Sequence, residues 1–215
     1  MSNIIRDYLQ TQSLNLDPDA VRVAQAAAEA VIRHAAAAVE MPVLWPPAVA
    51  QAASACGWQP DTEQLALIQS VFIALDSACS RLNPQAAAVY GLMPEQPVLL
   101  RLAQQGGGHV ASLPADGSAD DSSLVARSAH TGWLNCADDV AAWLANGDLS
   151  GTQSGGSQAA LPVAAEDGRV FGVVSAVYHN PAAFDRDTLA DWVGLTLALQ
   201  PLLAQLLPKP TPLSD

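Results

Sequence analysis

A β-hairpin near the C-terminus constrains the fold of this chain more than any other feature of the sequence. Residues 158–164 and 169–178 are two apolar runs, and Glu166-Asp167-Gly168 between them is typical of a tight turn. A helical pattern follows from Phe184, with apolar residues at steps of three and four. A hairpin that runs directly into a helix favours an α+β layer over a doubly wound parallel sheet.

The sequence upstream of the hairpin adds further strands and helices. In chain order it predicts a helix over 63–82, strands over 86–92 and 97–103, a helix over 122–129 that ends at Thr131-Gly132, a short strand over 133–136 and a helical turn over 140–145. Residues 146–156 are almost all small and polar, which predicts a flexible loop. The predicted fold class is α+β, with a mostly antiparallel sheet of five to six strands flanked by helices.

The first sixty residues show helical patterns and no strand. Asp17-Pro18 is a typical helix start, and an apolar stripe runs from Val21 to Val39. A second, alanine-rich helix is predicted after Pro46-Pro47. We therefore predict an all-helical N-terminal extension over 1–60, an α+β domain over 61–208 and a proline-rich tail over 209–215.

The charge of the chain excludes several classes of partner. Nine Lys and Arg against 21 Asp and Glu give a net charge of −12, so no basic surface is available for nucleic acid or for an anionic membrane. The single lysine, Lys209, lies in the tail, which excludes P-loop and Schiff-base chemistry in the domain. We expect no nucleic-acid partner and no membrane partner.

The cysteines and the N-terminus indicate a cytoplasmic protein. Cys56, Cys79 and Cys136 are far apart and show no metal-ligand spacing, which is typical of reduced thiols in the cytosol. The first residues show no signal-peptide pattern. We expect no metal and no cofactor.

Five segments in a fixed order carry a family resemblance. They are Ser128 with Thr131-Gly132, Asp139-Val140, the run from Ser157 to Val163, the run from Gly168 to Val174, and the run from Phe184 to Leu189. This series resembles the C-terminal half of GAF domains, and the resemblance extends over about 63–207. Two departures concern the ligand pocket: Gly156 stands where the family often has Arg, and the loop 146–156 lacks the usual helix-forming residues.

The resemblance implies a binding module but does not identify its ligand. GAF domains bind small molecules or serve as dimerisation units, and the fold alone does not choose. The lysine of the cyclic-nucleotide signature is absent here. A bilin would need a thiol such as Cys136, which the pattern indicates to be buried and structural. Haem would need an axial histidine; His109, His130 and His179 are the candidates, with His130 the best placed.

The sequence predicts a stand-alone, bacterial, non-catalytic sensory or regulatory module that binds a small molecule or a protein partner in signalling. No nucleophile or metalloprotease motif is present, so we expect no enzyme. Two alternatives stay open. One is a structural dimerisation or adaptor protein whose pocket is filled by its own side chains. The other is a redox enzyme of the free methionine sulfoxide reductase type that uses Cys136.

The pocket that the resemblance implies lies between the sheet and the helix–loop layer over it. The residues predicted to line it are Tyr90, Arg101, Val125, His130, Trp133, Asp139, Trp143 and Ser157. Arg101 would pair with an anionic group of the ligand, or else form a salt bridge on the solvent side of an edge strand.

Surplus apolar surface on the helices predicts a homodimer. The resemblance places the helices 63–82 and 185–207 side by side, with Leu67 and Leu195 among the apolar residues off their main seams. The stripe from Val21 to Val39 also needs a partner, because an isolated amphipathic helix is marginal in water. The rival is a monomer in which residues 18–56 fold back over these helices.

Overall fold

The structure, a computed structural model, describes residues 2–34, 39–93, 95–151, 153 and 155–207. Within these residues the chain forms α1 (Ser2–Thr11), α2 (Pro18–Arg33), α3 (Met41–Leu44), α4 (Pro47–Ala55), α5 (Thr62–Leu82), β1 (Ala86–Met93), β2 (Val98–Gln105), β3 (Ser112–Pro114), α6 (Leu124–Thr131), β4 (Asn135–Ala137), α7 (Val140–Asn146), β5 (Ser157–Ala164), β6 (Val170–Tyr178) and α8 (Arg186–Leu206). The predicted α+β class is confirmed.

One six-stranded antiparallel sheet organises the domain, in the order β3-β2-β1-β6-β5-β4. The predicted hairpin is β5–β6, and Gly168 closes its turn at φ +85°, a conformation that side chains other than glycine rarely adopt. Gly91 of β1 lies opposite Gly172 of β6. A Cβ on Gly172 would stand 2.0 Å from the carbonyl oxygen of Tyr90, so this position requires glycine.

Side chains on the two faces of the sheet form two hydrophobic cores. The larger core lies under α5 and α8 and contains fully buried Trp192, Leu75 and Leu161. Both helices begin at an Asp cap. The side chain of Asp61 accepts from the backbone amide of Gln64 in α5, and the side chain of Asp185 accepts from the backbone amide of Thr188 in α8. The smaller core lies on the other face, under α6 and α7.

The N-terminal helices pack on the main body and share its larger core. Val21, Ala24 and Ala28 of α2 are buried, and α2 lies along α8. The chain therefore folds back on itself, as in the rival arrangement, and the stripe on which the dimer prediction depended has an intramolecular partner. The residues 35–38 of that predicted stripe lie outside the described residues. Homodimer formation stays a prediction.

Three features of the fold differ from the sequence prediction or extend it. The helices α1 and α3 and the short edge strand β3 were not predicted. The last helix runs through Pro201 to Leu206, close to its predicted end at 207, while the predicted tail lies outside the described residues.

The helices α5 and α8 are long and apolar enough to cross a membrane by length and composition, with mean hydropathies of 1.4 and 1.2. Both pack against the sheet in this structure, as core helices do. The cytoplasmic location stays a prediction.

Candidate functional site

A cavity of about 230 Å³ lies between the sheet and the layer that covers its smaller core. It is lined by Ala86, Tyr90, Gly107, Gly108, His109, Val110, Leu113, Ser122, Ser123, Leu124, Val125, Gln153, Gln158, Ser175 and Val177. The floor comes from alternate residues of β1, β5 and β6, because every second side chain of a strand faces the same side. Two of these floor residues, Ala86 and Ser175, are small and leave space above the sheet.

The segment 106–110 forms one wall, and two side chains of the sheet hold it in place. The hydroxyl of Tyr90 donates to the Val110 carbonyl at 3.1 Å, and the guanidinium of Arg101 donates to the His109 carbonyl. The rings of Tyr90 and His109 meet edge to face, with centroids 6.3 Å apart. These contacts fix the backbone of a glycine-rich segment that would otherwise have many conformations.

His109 is the most unusual polar group of the site. Its Nε2 atom is buried and has no hydrogen-bond partner among the described residues. Burial, and then the neighbouring positive charge of Arg101, lowers the pKa of His109 to about 4. The ring is therefore neutral near pH 7, and such a ring can donate from one nitrogen and accept at the other.

The start of α6 forms the opposite wall. Ser123 caps this helix by accepting from the Ala126 amide at 3.2 Å, and Ser122, Leu124 and Val125 line the cavity beside it. A helix N-terminus carries a partial positive charge. No Asp, Glu, Lys or Arg is among the described residues that line the cavity, so its polarity comes from hydroxyls, amides, the neutral imidazole and this helix end.

The structure brings two of the eight predicted residues to the cavity. Tyr90 and Val125 line it. Arg101 is 8% exposed and supports the wall through the His109 carbonyl, so neither the predicted ligand contact nor the predicted surface salt bridge is observed among the described residues. Burial lowers the pKa of Arg101.

The other five predicted residues lie elsewhere, each for a local reason. His130 pairs with Asp120 at 2.7 Å and is half exposed, and the Trp133 residue is 51% exposed. Asp139 caps α7 by accepting from the Ala142 amide at 3.0 Å. Trp143 packs against the smaller core. Ser157 donates to the Asn180 carbonyl at 2.8 Å, one residue before the cavity-lining Gln158.

The histidine prediction needs the same correction. His130 was predicted as the best placed histidine, yet His109 is the one that lines the cavity. Sequence reasoning also missed Ser122, Ser123 and Gln153. The capping preference of serine at the start of α6 was a usable signal for the first two.

The three cysteines do not line this cavity. Cys56 ends α4, Cys79 belongs to α5 and Cys136 belongs to β4. Burial, together with nearby carboxylates, raises the pKa of both Cys79 and Cys136 to about 12, so both are protonated thiols near neutral pH and weak nucleophiles. Among the described residues no group of three His, Cys, Asp or Glu side chains is placed to hold a metal ion.

Comparison with known proteins gives similarity at the level of the fold. No protein-family model and no curated protein sequence matches the chain, whereas solved structures do match. A Burkholderia vietnamiensis protein described as a GAF sensor is 19% identical, with a TM-score of 0.54 over 78% of this chain and 98% of that chain. The GAF domain of the Acinetobacter phosphoenolpyruvate-protein phosphotransferase is 17% identical, with a TM-score of 0.54 over 74% and 91%.

A third similar structure is an enzyme. It is the free methionine-R-sulfoxide reductase of Neisseria meningitidis in complex with its substrate, 17% identical with a TM-score of 0.54 over 78% of this chain and 93% of that chain. The prediction that this chain is not an enzyme, which rested on the absence of known catalytic motifs, is therefore wrong. The same fold is found in sensors and in reductases and does not settle enzymatic status. What the similarity does establish is that the chain has the fold of GAF domains.

Proposed function

We propose that this protein is a small-molecule-binding module with a sensory or regulatory role, and that it binds a compact polar molecule in the cavity beside His109. The observation that carries the proposal is the buried Nε2 atom of His109, which has no partner among the described residues at the wall of a cavity of about 230 Å³. A buried polar atom without a partner costs free energy, and a bound ligand supplies that partner.

The open volume distinguishes this proposal from an adaptor with a self-filled pocket. A pocket filled by its own side chains would leave no volume of this size beside the sheet. Here Ser175 and Ala86 provide small side chains on the floor, and Gly107 and Gly108 provide none on the wall. The binding of a small molecule is the better explanation of these residues.

The lining defines the class of ligand. The volume lies below the range of about 300–1000 Å³ typical of pockets for drug-sized molecules, so the ligand is about the size of an amino acid. Without a carboxylate among its described lining residues, the cavity has no countercharge for a cation. Hydroxyls, amides and the start of α6 suit a neutral, zwitterionic or anionic molecule with several hydrogen-bonding groups.

Two of the similar structures support this choice. The Neisseria reductase was solved with its substrate, which by the name of the enzyme is a free amino-acid derivative. The Burkholderia protein is described as a GAF sensor. Both are similar to this chain in fold, and a small-molecule ligand for this chain agrees with both descriptions.

A thermal-shift survey tests the proposal. Amino acids, their sulfoxides and small carboxylates are screened with the intact protein, and native mass spectrometry detects any molecule that co-purifies. A ligand at a hundred times its Kd stabilises the folded state by about 2.7 kcal/mol. We expect a hit in wild type that is lost in Ser175→Val, which enlarges a floor side chain.

The matched control is Ser112→Val, the same change on an exposed position of β3. It should keep the ligand-induced shift. The proposal fails if no compound shifts the wild type and no molecule co-purifies, or if Ser175→Val responds to the hit as wild type does.

A further inference from the structure

A second cavity, of about 410 Å³, lies on another part of the surface and shares no described lining residue with the first. Its walls are α1, the turn between β5 and β6, and α8. The volume falls within the range of about 300–1000 Å³ found for small-molecule sites. The larger cavity of the two is thus separate from the candidate site beside His109.

The wall formed by α1 is held by hydrogen bonds to the main body. The hydroxyl of Tyr8 donates to the Pro162 carbonyl at 3.2 Å. Pro162 belongs to the part of β5 that does not pair with β4, since β4 pairs with β5 only at residues 158–160. The side-chain amide of Gln12 donates from its nitrogen to the Gly132 carbonyl at 2.9 Å, and its oxygen accepts from the backbone amide of Leu134 at 2.6 Å. Gln12 is 9% exposed, so α1 is anchored by buried polar contacts.

The electrostatics of this cavity are negative. Asp7 and Glu166 line it, and neither forms an ion pair among the described residues. No Lys, Arg or His is among the described lining residues. Gly132, the C-cap of α6, and Thr11, the last residue of α1, also line it, and helix C-termini carry a partial negative charge.

The floor of the cavity is partly apolar. Ile4 and Leu197 lie on it together with the ring of Tyr8, and Ile4 is 39% exposed. Such a site combines an apolar surface for the body of a ligand with carboxylates for a charged group. A metal ion would gain nothing from the apolar part, whereas an amine on a hydrocarbon body would use both parts.

We propose that this second cavity binds a small organic cation, with its ammonium group between Asp7 and Glu166 and its apolar body against Ile4 and Leu197. The charge preference is the reverse of that of the first cavity, which has no carboxylate in its described lining. The two sites therefore select different ligands, and this proposal stands whether or not the first cavity binds a small molecule.

The test uses the intact protein and three probes of one shape. Benzylamine, benzyl alcohol and benzoate share an apolar ring and differ in charge, and calorimetric titration at low salt measures each Kd. We expect saturable binding of benzylamine, with the alcohol and benzoate at least about threefold weaker, because Asp7 and Glu166 are exposed carboxylates and exposed ion pairs are weak.

Variants then locate the site. The double variant Asp7→Asn with Glu166→Gln should weaken benzylamine binding at least about threefold. Glu63→Gln, on the exposed start of α5, and Ser175→Val in the first cavity should leave the Kd unchanged. Melting temperatures confirm that each variant is folded. The proposal is overturned by equal affinity for the amine and the alcohol, by an unchanged Kd in the double variant, or by no saturable binding.

Discussion

Gly194 of α8 lies directly against Ala24 of α2, so that a Cβ on Gly194 would stand 2.5 Å from the Ala24 Cβ and 2.6 Å from the Gln25 amide nitrogen. Two helices can approach this closely only where one of them lacks a side chain. The contact joins the N-terminal segment to the last helix of the domain. It explains why the N-terminal residues share one core with the sheet.

The substitution Gly194→Ala should destabilise the protein despite its favourable helix propensity. Ala in place of Gly favours a helix by about 1 kcal/mol, but the new methyl group must displace the backbone of α2, and overpacking costs about 1–3 kcal/mol. We expect a net loss of up to about 2 kcal/mol by urea denaturation. Gly107→Ala is the control, since nothing lies within 4 Å of its Cβ position. A stabilised Gly194→Ala variant would contradict this packing.

The substitution Gly172→Val should cost at least about 2–3 kcal/mol. Its Cβ would stand 2.0 Å from the Tyr90 carbonyl oxygen, which belongs to the neighbouring strand and cannot move alone. At the opposite residue, Gly91, a Cβ would meet only the ends of the Leu102 and Leu207 side chains, at 3.0 and 3.1 Å, so Gly91→Ala is the tolerated control. A change within about 0.5 kcal/mol for Gly172→Val would mean that the strands are placed wrongly.

Local patterns explain which parts of the fold could be predicted. The helices over 63–82 and 186–206 and the hairpin β5–β6 follow from periodicity, caps and a turn glycine, all of which act within a few residues. The strand β3 has only three residues, too few for a pattern. The position of α1 depends on contacts such as Tyr8 with Pro162, which are remote in sequence.

The candidate site was predicted poorly because it depends on strand parity and on one loop. Ser157 was predicted to line the cavity and Gln158 does so; a shift of one residue along a strand moves a side chain to the other face. His109 follows three glycines, and nothing local indicates that this segment folds over the sheet. Its position comes from Tyr90 and Arg101, which hold the segment from below.

His109 should make the stability of the protein depend on pH. Burial lowers its pKa from 6.5 to about 4, so below pH 6.5 the unfolded chain takes up a proton that the folded chain does not. The associated stability is present above pH 6.5 and is lost as the pH falls towards about 4. We expect a loss of about 2 kcal/mol between about pH 7.5 and about pH 5, measured by urea denaturation.

The variant His109→Gln should remove this part of the pH dependence. His34→Gln, on the exposed end of α2, is the matched control and should keep the wild-type profile. An unchanged pH profile in His109→Gln would show that the imidazole is not buried as described.

Truncation tests whether the N-terminal helices belong to the core. Deleting residues 1–60 removes α1–α4 and exposes the face of α8 around Ala190 and Gly194, along which α2 lies. A long exposed apolar face promotes association, so we expect the truncated protein to aggregate in light scattering. Deleting residues 1–16 removes α1 alone and leaves α2 on α8; this chain should stay soluble with a lower melting temperature.

The mass of the intact chain completes the experiment. Because α2 covers α8 within one chain, the N-terminal stripe no longer argues for a dimer, and a monomeric mass would end the homodimer prediction. A chain without residues 1–60 that stays soluble at the mass of a monomer would show that α1–α4 add little to the core. Such a result would contradict the burial of Val21 and Ala24 and the close approach of Gly194 to α2.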